Sequence, residues 1–137
     1  MEQRADEVAW LLELAVNPGA GDSVRAVMEE MAASTTAEPG ALSYAWFRSD
    51  DGRVVAISER YTDSAAVVTH LTTFGETFAP RFLAALTPTR MTVLGAPSEE
   101  AKQALSALNP TYLGYFGGFT ARSVIDGPPA PGFATGS

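Results

Sequence analysis

The order in which strand and helix patterns follow one another is the feature that most constrains the fold of this chain. Residues 8–16 place apolar side chains at every second position, a pattern typical of a strand. Residues 41–49 and 53–61 are rich in aromatic and β-branched side chains and flank an Asp-Asp-Gly turn, which favours a hairpin. Helical patterns follow the first and third strands, and residues 89–97 have a fourth strand pattern. The order βαββαβ predicts a ferredoxin-like α+β fold, an antiparallel sheet with helices on one face.

The predicted helices are marked by apolar stripes and by residues that cap helix starts. The predicted caps are Asp22, Thr62 or Asp63, and Ser98. The helices are predicted at residues 22–31, 64–71, 76–86 and 99–108, the third of them interrupted or kinked at Pro80. The last of these helices lies beyond the βαββαβ unit and is therefore an addition to it.

A chain of 137 residues has room for one globular core. We predict a single domain over residues 1–126, with its core at residues 8–97 and a C-terminal extension at residues 98–126. After the last helix, this extension contains the aromatic and glycine-rich stretch TYLGYFGGFTARS, which we expect to form an edge strand or an ordered arm. Residues 127–137 are rich in proline and glycine and are predicted to be a disordered tail.

A sheet with helices on one face leaves its other face uncovered. Four hairpin residues, Tyr44, Trp46, Val55 and Ile57, are too apolar to face water in a monomer. An exposed apolar sheet face marks an interface. We therefore predict a homodimer in which two copies pack sheet to sheet.

Charge and composition exclude several kinds of partner and site. The net charge is −7 and no basic run occurs, so neither nucleic acid nor an anionic membrane is an expected partner. Without cysteine and with a single histidine, the chain cannot form disulfides, thiolate nucleophiles or a metal site of several histidines, and no metal is expected. The start MEQRADEVAW lacks the features of a signal peptide and the apolar runs are short, so a cytoplasmic protein is expected.

The one histidine is the side chain best suited to give and take a proton near neutral pH. His70 lies on the second predicted helix, close behind the end of the third strand. This topology places it near the cleft between the helices and the sheet, which makes it a candidate catalytic residue. The alternative is a partly exposed helix residue whose ring bonds a backbone carbonyl.

Glu59 and Tyr61 are further candidates, and they share one side of the third strand with Ile57. A carboxylate at the end of an apolar face needs a partner or water. A cation such as Arg90 or Arg122 would serve, and the alternative for Glu59 is a purely structural ion pair. Tyr61 is a candidate catalytic residue, and its alternative is a place at the rim with the hydroxyl in water.

Aromatic side chains are abundant enough to line a pocket for a flat, apolar ligand. Such a pocket predicts a small aromatic or hydrophobic substrate. The alternative is that these rings only fill the core. The candidate substrate-binding residues are Trp10, Tyr44, Trp46, Glu59 and Phe74.

Several of these residues occur in an order that resembles the antibiotic biosynthesis monooxygenase family. The similar elements are a Pro-Gly pair after the first strand, an acidic-Pro-Gly turn that begins at Glu38, and the segment SERYTDSAAVVTHL, which contains His70. The family pattern also has a tyrosine at the position of Tyr44 and an aromatic residue at that of Tyr61. The resemblance runs over about residues 8–97.

The resemblance implies a dimeric α+β barrel and a reaction that needs no cofactor. Some family members oxygenate anthrones, quinols or related polycyclic phenols with O2, without metal or flavin. By resemblance, His70 would be the base or a hydrogen-bond partner of the substrate. Tyr61, Tyr44 and Trp10 would position the substrate ring. A haem-degrading branch has an asparagine on the first strand and a tryptophan at the position of Tyr61, and the chain has neither, so haem breakdown is not expected.

Two other functions fit the same residues. The first is a non-catalytic dimeric barrel that binds a small hydrophobic ligand or another protein, which predicts a pocket and no activity lost on changing His70. The second is an isomerase, a cyclase or a quinone-detoxifying enzyme that consumes no O2. A shared fold does not choose between these chemistries.

Overall fold

The computed structural model describes residues 6–119, which contain one five-stranded sheet. In chain order, the strands are β1 (Val8–Val16), β2 (Ala41–Arg48), β3 (Val54–Tyr61), β4 (Leu86–Leu94) and β5 (Thr111–Leu113). Their order in the sheet is β2-β3-β1-β4-β5, so the sheet has two edges and is not closed into a barrel. All neighbouring strands are antiparallel except β4 and β5, which run parallel.

Four α-helices cover one face of this sheet. They are α1 (Gly21–Thr36), α2 (Ser64–Thr73), α3 (Ala79–Ala85) and α4 (Glu99–Leu105). A π-helical turn (Phe74–Phe78) joins α2 to α3, and a 3-10 turn (Ser106–Leu108) follows α4. The arrangement confirms the predicted α+β, ferredoxin-like architecture with helices on one face. None of the helices within residues 6–119 is long and apolar enough to cross a membrane.

Two of the three predicted helix caps are present. Asp63 and Ser98 each accept a backbone N–H from the first turn of their helix, at 2.9 and 3.2 Å. The prediction that Asp22 caps the first helix is wrong, because that position is held by Ala20, which makes no side-chain cap. Asp22 lies inside the first turn, where a negative charge complements the helix dipole.

Several element boundaries differ from the predicted ones, and burial in the core explains two of the differences. α1 continues to Thr36 rather than ending near residue 31, because its buried stripe extends at helical spacing to Thr35. β4 begins at Leu86, whose side chain is fully buried, rather than at residue 89. In both places, packing against the core extends an element beyond the span that local preference indicates.

The core lies between the helices and the covered face of the sheet. Alternate residues of β1, β3 and β4 point into it, so Leu12 lies between Ile57 of β3 and Met91 of β4. The helices complete the layer with the buried side chains of Val24, Val27, Met31, Val67, Phe82, Ala101 and Leu105.

The open face of the sheet is not the one predicted from the sequence. Trp46 lies opposite Ile57, which lies opposite Leu12, so the residues predicted to face a partner face the helices instead. The same correction applies to Tyr44 and Val55. Strand alternation tells which residues share a face, but not which face the helices cover. The exposed apolar side chains of the open face are Leu11, Phe47, Val54, Leu94 and Leu113.

The aromatic stretch after α4 forms an edge strand over part of its length. β5 runs along β4, and the Gly95 N–H donates to the Leu113 carbonyl at 2.9 Å. Beyond β5, the side chains of Phe116 and Phe119 are exposed. Residues 120–126 of the predicted extension and the predicted tail at residues 127–137 lie outside the described residues, so the predicted domain limits and the disorder stay predictions.

Candidate functional site

Glu59, Tyr61 and His70 meet in the layer between the sheet and α2. β3 carries Glu59 and Tyr61 on the side that the helices cover. The helix α2 starts directly after β3 and packs back on that side, so His70 lies over the end of the strand. The Tyr61 hydroxyl donates to Oε1 of Glu59 at 2.6 Å. The same oxygen lies 3.3 Å from Nε2 of His70. All three residues are buried, and His70 is 5% exposed.

A fourth residue, Glu38, approaches His70 from the turn before β2. Its Oε1 lies 3.0 Å from Nδ1 of His70. Gly40 lets this turn lie against the start of α2, because a Cβ at Gly40 would collide with Ala66. The Thr62 N–H also donates to the Gly40 carbonyl at 2.9 Å. Glu38 is a site residue that the sequence prediction misses, although the acidic-Pro-Gly turn is a signal that points to it.

Glu38, His70, Glu59 and Tyr61 are called the His70 array below. Each ring nitrogen of His70 faces a carboxylate oxygen, and only the protonated ring can donate from both nitrogens. Burial lowers the pKa of His70, but the hydrogen bond to Glu59 and the charges of Glu59 and Glu38 outweigh it, so the pKa is raised. The geometry thus suits a protonated ring held between two carboxylate oxygens.

Tyr61 is a hydrogen-bond donor within this array. Burial raises the pKa of its hydroxyl far above the ordinary value, and the charge of Glu59 and the hydrogen bond to Glu59 raise it further. The side chain is fully buried, so the alternative of a rim residue with a hydrated hydroxyl does not describe it. Tyr61 therefore holds the Glu59 carboxylate in place and keeps its proton.

The partner of Glu59 is His70 rather than an arginine. Arg60 forms its ion pair with another carboxylate, and Arg90 is exposed. Arg122 lies outside the described residues. The alternative of a partly exposed ring on a backbone carbonyl does not describe His70, which is buried between two carboxylates.

Aromatic rings surround His70 on the sheet side. The ring centroid of Tyr61 lies 5.0 Å from that of His70, and those of Tyr44 and Trp10 lie at 5.8 and 6.4 Å. Trp10 also packs against Tyr61 at 5.0 Å. Three of the predicted aromatic site residues are therefore brought directly around the imidazole.

The other two predicted aromatic residues form a second group beside the first. Trp46 lies 6.5 Å from Tyr44 and 6.0 Å from Phe82, measured between ring centroids. Phe74 packs edge-on against Phe82 at 5.1 Å. Phe74 is thus linked to the His70 side of the site through Phe82 and Trp46.

Two buried donors in this aromatic group are unpaired. Within residues 6–119, the hydroxyl of Tyr44 and the indole N–H of Trp46 have no hydrogen-bond partner. Burial raises the pKa of the Tyr44 hydroxyl, and the charge of Glu59 raises it further. Trp46 and Thr35 lie near enough to this hydroxyl to lower its pKa by less, although neither has hydrogen-bond geometry to it. The Tyr44 hydroxyl therefore stays protonated and can donate a hydrogen bond to an acceptor.

The part of the chain that the structure describes contains no group of three or more His, Cys, Asp or Glu side chains that could hold a metal ion. Glu38 and Glu59 face opposite nitrogens of the His70 ring, so they do not converge on one point with it. The arrangement suits proton transfer, because it places an acid and two carboxylates in direct contact inside an aromatic enclosure.

Comparison with known proteins adds a family and a fold. Residues 8–87 match the model of the family described as antibiotic biosynthesis monooxygenase. Among solved structures, MupZ from Pseudomonas fluorescens is similar with a TM-score of 0.74 and 19% identity, over 85% of this chain and 95% of MupZ. SnoaB from Streptomyces nogalater, described as a cofactor-independent oxygenase, is similar with a TM-score of 0.59 and 24% identity, over 69% of this chain and 96% of SnoaB. No curated protein is significantly similar in sequence.

Proposed function

The chain belongs to the antibiotic biosynthesis monooxygenase family, and from this membership we propose that it oxidises a quinol-like or polycyclic phenolic small molecule with O2, without a cofactor. The observation that carries the proposal is the His70 array, a buried acid–base group beside aromatic rings. SnoaB, which has a similar fold, is described as a cofactor-independent oxygenase. An electron-rich phenolate reacts with O2 once it is deprotonated, so the protein must supply a base, hydrogen bonds and a dry pocket.

In this proposal the base is the array as a whole rather than His70 alone. Both nitrogens of His70 already face carboxylate oxygens, so neither nitrogen is free to take a proton from a substrate. In the proposed reaction, the three coupled groups share one proton taken from the substrate. Glu59 receives the proton, and Glu38, whose side chain is 12% exposed against 5% for Glu59, exchanges it with solvent.

The reaction balances without a further reductant for a substrate with an acidic CH2 group beside a phenolic ring. The array takes one proton, the carbanion adds O2, and the array returns its proton to give a hydroperoxide. Cleavage of the O–O bond then expels water and leaves a carbonyl. The substrate carbon supplies the electrons that reduce O2, and one oxygen atom enters the product while the other leaves as water.

The aromatic residues give this chemistry a dry and oriented setting. In this proposal, Trp10 and Tyr44, which lie beside His70, would contact the substrate ring. Trp46 and Phe74, which both pack on Phe82, would enclose the side beyond Tyr44. Exclusion of water strengthens the electrostatic interactions of the array with the developing anion.

Oxygen uptake tests this proposal. Purified protein is mixed with hydroquinones, naphthols and anthrones, with and without a chelator. We expect chelator-resistant uptake that falls about a hundredfold or more in Glu59→Gln and His70→Ala, the scale of losing a general base. The matched control is Glu100→Gln, the same chemical change on the exposed surface of α4.

Unchanged uptake in Glu59→Gln would exclude the array as the base. Uptake on none of the compounds would contradict the oxygenase proposal. Saturable binding without turnover would then identify the non-catalytic barrel for a small hydrophobic ligand.

An O2-independent isomerase or cyclase is the second candidate, and the contact between His70 and Glu59 favours it. This contact keeps a proton donor and a proton acceptor together before substrate binds. Moving a proton between two atoms of one substrate requires such a pair. Product mass separates the two candidates, because isomerisation leaves the mass unchanged and proceeds without O2.

We further propose that the protein is a cytoplasmic homodimer whose other partner is its small-molecule substrate. The open face of the sheet exposes five large apolar side chains, and a second copy of the same face would cover them. The net charge of −7 argues against nucleic acid and anionic membranes as partners. The measured molar mass in solution tests the dimer.

A further inference from the structure

Glu13 and Arg90 carry opposite charges at neighbouring positions on the open face of the sheet. They are partners in the register between β1 and β4, next to Leu12 and Met91, which point into the core. Glu13 is partly buried and Arg90 is exposed. Within residues 6–119, the two side chains form no ion pair with each other or with another charged group. Both charges are therefore available to a partner.

The open-face residues of β1 and β4 also complement each other in size. Ala9 is the register partner of Leu94, and Leu11 is the partner of Thr92. In each of these pairs a larger side chain lies beside a smaller one, just as a carboxylate lies beside a guanidinium in the charged pair. A two-fold axis that runs along the strands midway between β1 and β4 places each member of a pair opposite the other member in a second copy. This face is thus complementary to itself in size and in charge.

We propose that Glu13 of one copy pairs with Arg90 of a second copy, an inference that rests on the proposed homodimer because it names the contact that sets how the two sheets dock. The ion pair forms twice, once on each side of the two-fold axis. Sheets that pack face to face lie about 10 Å apart, a gap that a glutamate and an arginine side chain can span from opposite sides.

The charges of the open face favour a second copy over an uncharged apolar partner. Arg60 also lies on this face, but it already pairs with Glu7 at 2.7 Å. An apolar partner would remove the Glu13 carboxylate from water without supplying a cation, which is costly. A second copy supplies Arg90 at the required position and covers the exposed apolar side chains at the same time.

Charge reversal tests the inference, because it separates a pair between copies from a pair within one chain. Glu13→Arg and Arg90→Glu each place like charges opposite each other in their own homodimers. We expect the dissociation constant of each homodimer to rise at least about tenfold above that of the wild type. Sedimentation equilibrium measures these constants.

An equimolar mixture of the two variants should restore association. In the mixed dimer each variant supplies the charge that the other lacks, so both contacts join opposite charges again. We expect a dissociation constant within about threefold of the wild-type value. An affinity tag on one variant identifies the mixed dimer by native mass spectrometry. A pair confined to one chain is broken in both variants, and mixing them cannot repair it.

Matched controls separate this contact from the effect of net charge. Glu100→Arg and Arg25→Glu make the same charge changes at exposed positions of α4 and α1, and each should leave the dissociation constant unchanged. A mixture of Glu13→Arg with Arg25→Glu has the same total charge as the exchanged pair. Its mixed dimer should be weaker than that of the exchanged pair, because one of its two contacts still joins like charges.

A conservative variant makes the test independent of the charge reversals. Arg90→Lys keeps the positive charge and provides an amine that a carbodiimide can join to the Glu13 carboxylate. Protein grown on ordinary nitrogen is mixed with protein grown on heavy nitrogen before cross-linking. We expect cross-linked peptides in which one member is ordinary and the other is heavy, as a bond between copies requires.

Three outcomes overturn the inference. A wild type that is monomeric at all concentrations overturns both this inference and the homodimer. A dimeric wild type whose charge-reversed variants associate normally, or gain nothing from being mixed, overturns this inference and leaves the homodimer standing. Cross-linked peptides that always carry the same nitrogen label would mean that Glu13 and residue 90 meet within one chain.

Discussion

The two faces of the sheet are built from the same strands, yet one face buries ionisable side chains and the other exposes large apolar side chains. On β3, Glu59 points to the covered face and is buried against His70, while its neighbour Arg60 points to the open face and forms a half-exposed ion pair with Glu7. On β2, Trp46 faces the helices and Phe47 faces outward, where it is 60% exposed. The covered face thus keeps ionisable groups inside, and the open face keeps large apolar groups outside.

Each face departs from what stability alone favours, and the departures have different consequences. Burying carboxylates and an imidazole is costly unless the groups pair well, and such arrangements are concentrated at functional sites. Exposing apolar side chains in one patch favours association with another surface. This difference agrees with the proposals that the covered face serves chemistry and the open face serves assembly.

The largest expected effect tests the ionised interior of the covered face. His70→Leu leaves the buried Glu59 and the partly buried Glu38 without a partner at the ring position, so we expect the free energy of unfolding at pH 7 to fall by about 3–5 kcal/mol. Urea denaturation measures this change. Thr69→Leu, at an exposed neighbouring position of α2, is the control and should change stability by no more than about 0.5 kcal/mol. A loss for His70→Leu as small as that of the control would mean that the carboxylates are not held as charged groups by the ring.

The next effect tests the open face. Phe47→Lys places a charge in the exposed apolar patch, so we expect the dissociation constant of the homodimer to rise at least about tenfold while the fold is retained. Sedimentation equilibrium or light scattering measures the change. Leu83→Lys is the control, because Leu83 is a similarly exposed apolar residue on the helix side. A wild-type protein that is monomeric at all concentrations would contradict the proposed assembly.

A third prediction concerns the pKa of His70, which the chain's single imidazole makes directly measurable by NMR. We expect a pKa above 6.5. Because the folded pKa is raised, the stability that protonation contributes is fully present below the unfolded pKa and is lost as pH rises through the folded pKa. Glu38→Gln removes a charge that raises the pKa, so the pKa of His70 should fall, whereas Glu100→Gln should leave it unchanged. A wild-type pKa at or below 6.5 would mean that burial outweighs the two carboxylates.

The smallest effect sharpens the contrast between buried and exposed ion pairs. Arg60→Met breaks the pair with Glu7, in which the arginine side chain is 38% exposed, so we expect a loss of about 0–1 kcal/mol. The loss should shrink further at high salt, because solvent and ions screen exposed charges. Urea denaturation at low and high salt measures both quantities. A loss as large as that of His70→Leu would remove the distinction drawn between the two faces.

Local patterns were sufficient to predict most elements of the fold. β1 spans Val8–Val16 as predicted, because alternation with period two is a property of the strand itself. The caps at Asp63 and Ser98 are also local, since each side chain bonds a backbone N–H only three residues away. The late end of α1 and the early start of β4 were not predictable in this way, because burial in the core extends both elements.

The candidate site was predictable in part, for a related reason. Glu59, Tyr61 and His70 are close in sequence and lie on a strand and on the helix that follows it, so topology alone brings them near each other. Glu38 is 32 residues from His70, and nothing local indicates that its carboxylate meets the imidazole. Their contact depends on how closely the turn at Gly40 packs against α2.

The sequence was sufficient to predict the order of the elements and the sets of residues that share a strand face, and it limits the available chemistry to one histidine and no cysteine. Only packing of the chain decided which face the helices cover and that Glu38 and Glu59 hold His70 between them. It also left the Tyr44 hydroxyl and the Trp46 indole N–H without a hydrogen-bond partner within residues 6–119. The physical reason is that alternation is symmetric between the two faces of a strand. Electrostatic and hydrogen-bond energies, in contrast, depend on distance and burial, which exist only after the chain has packed.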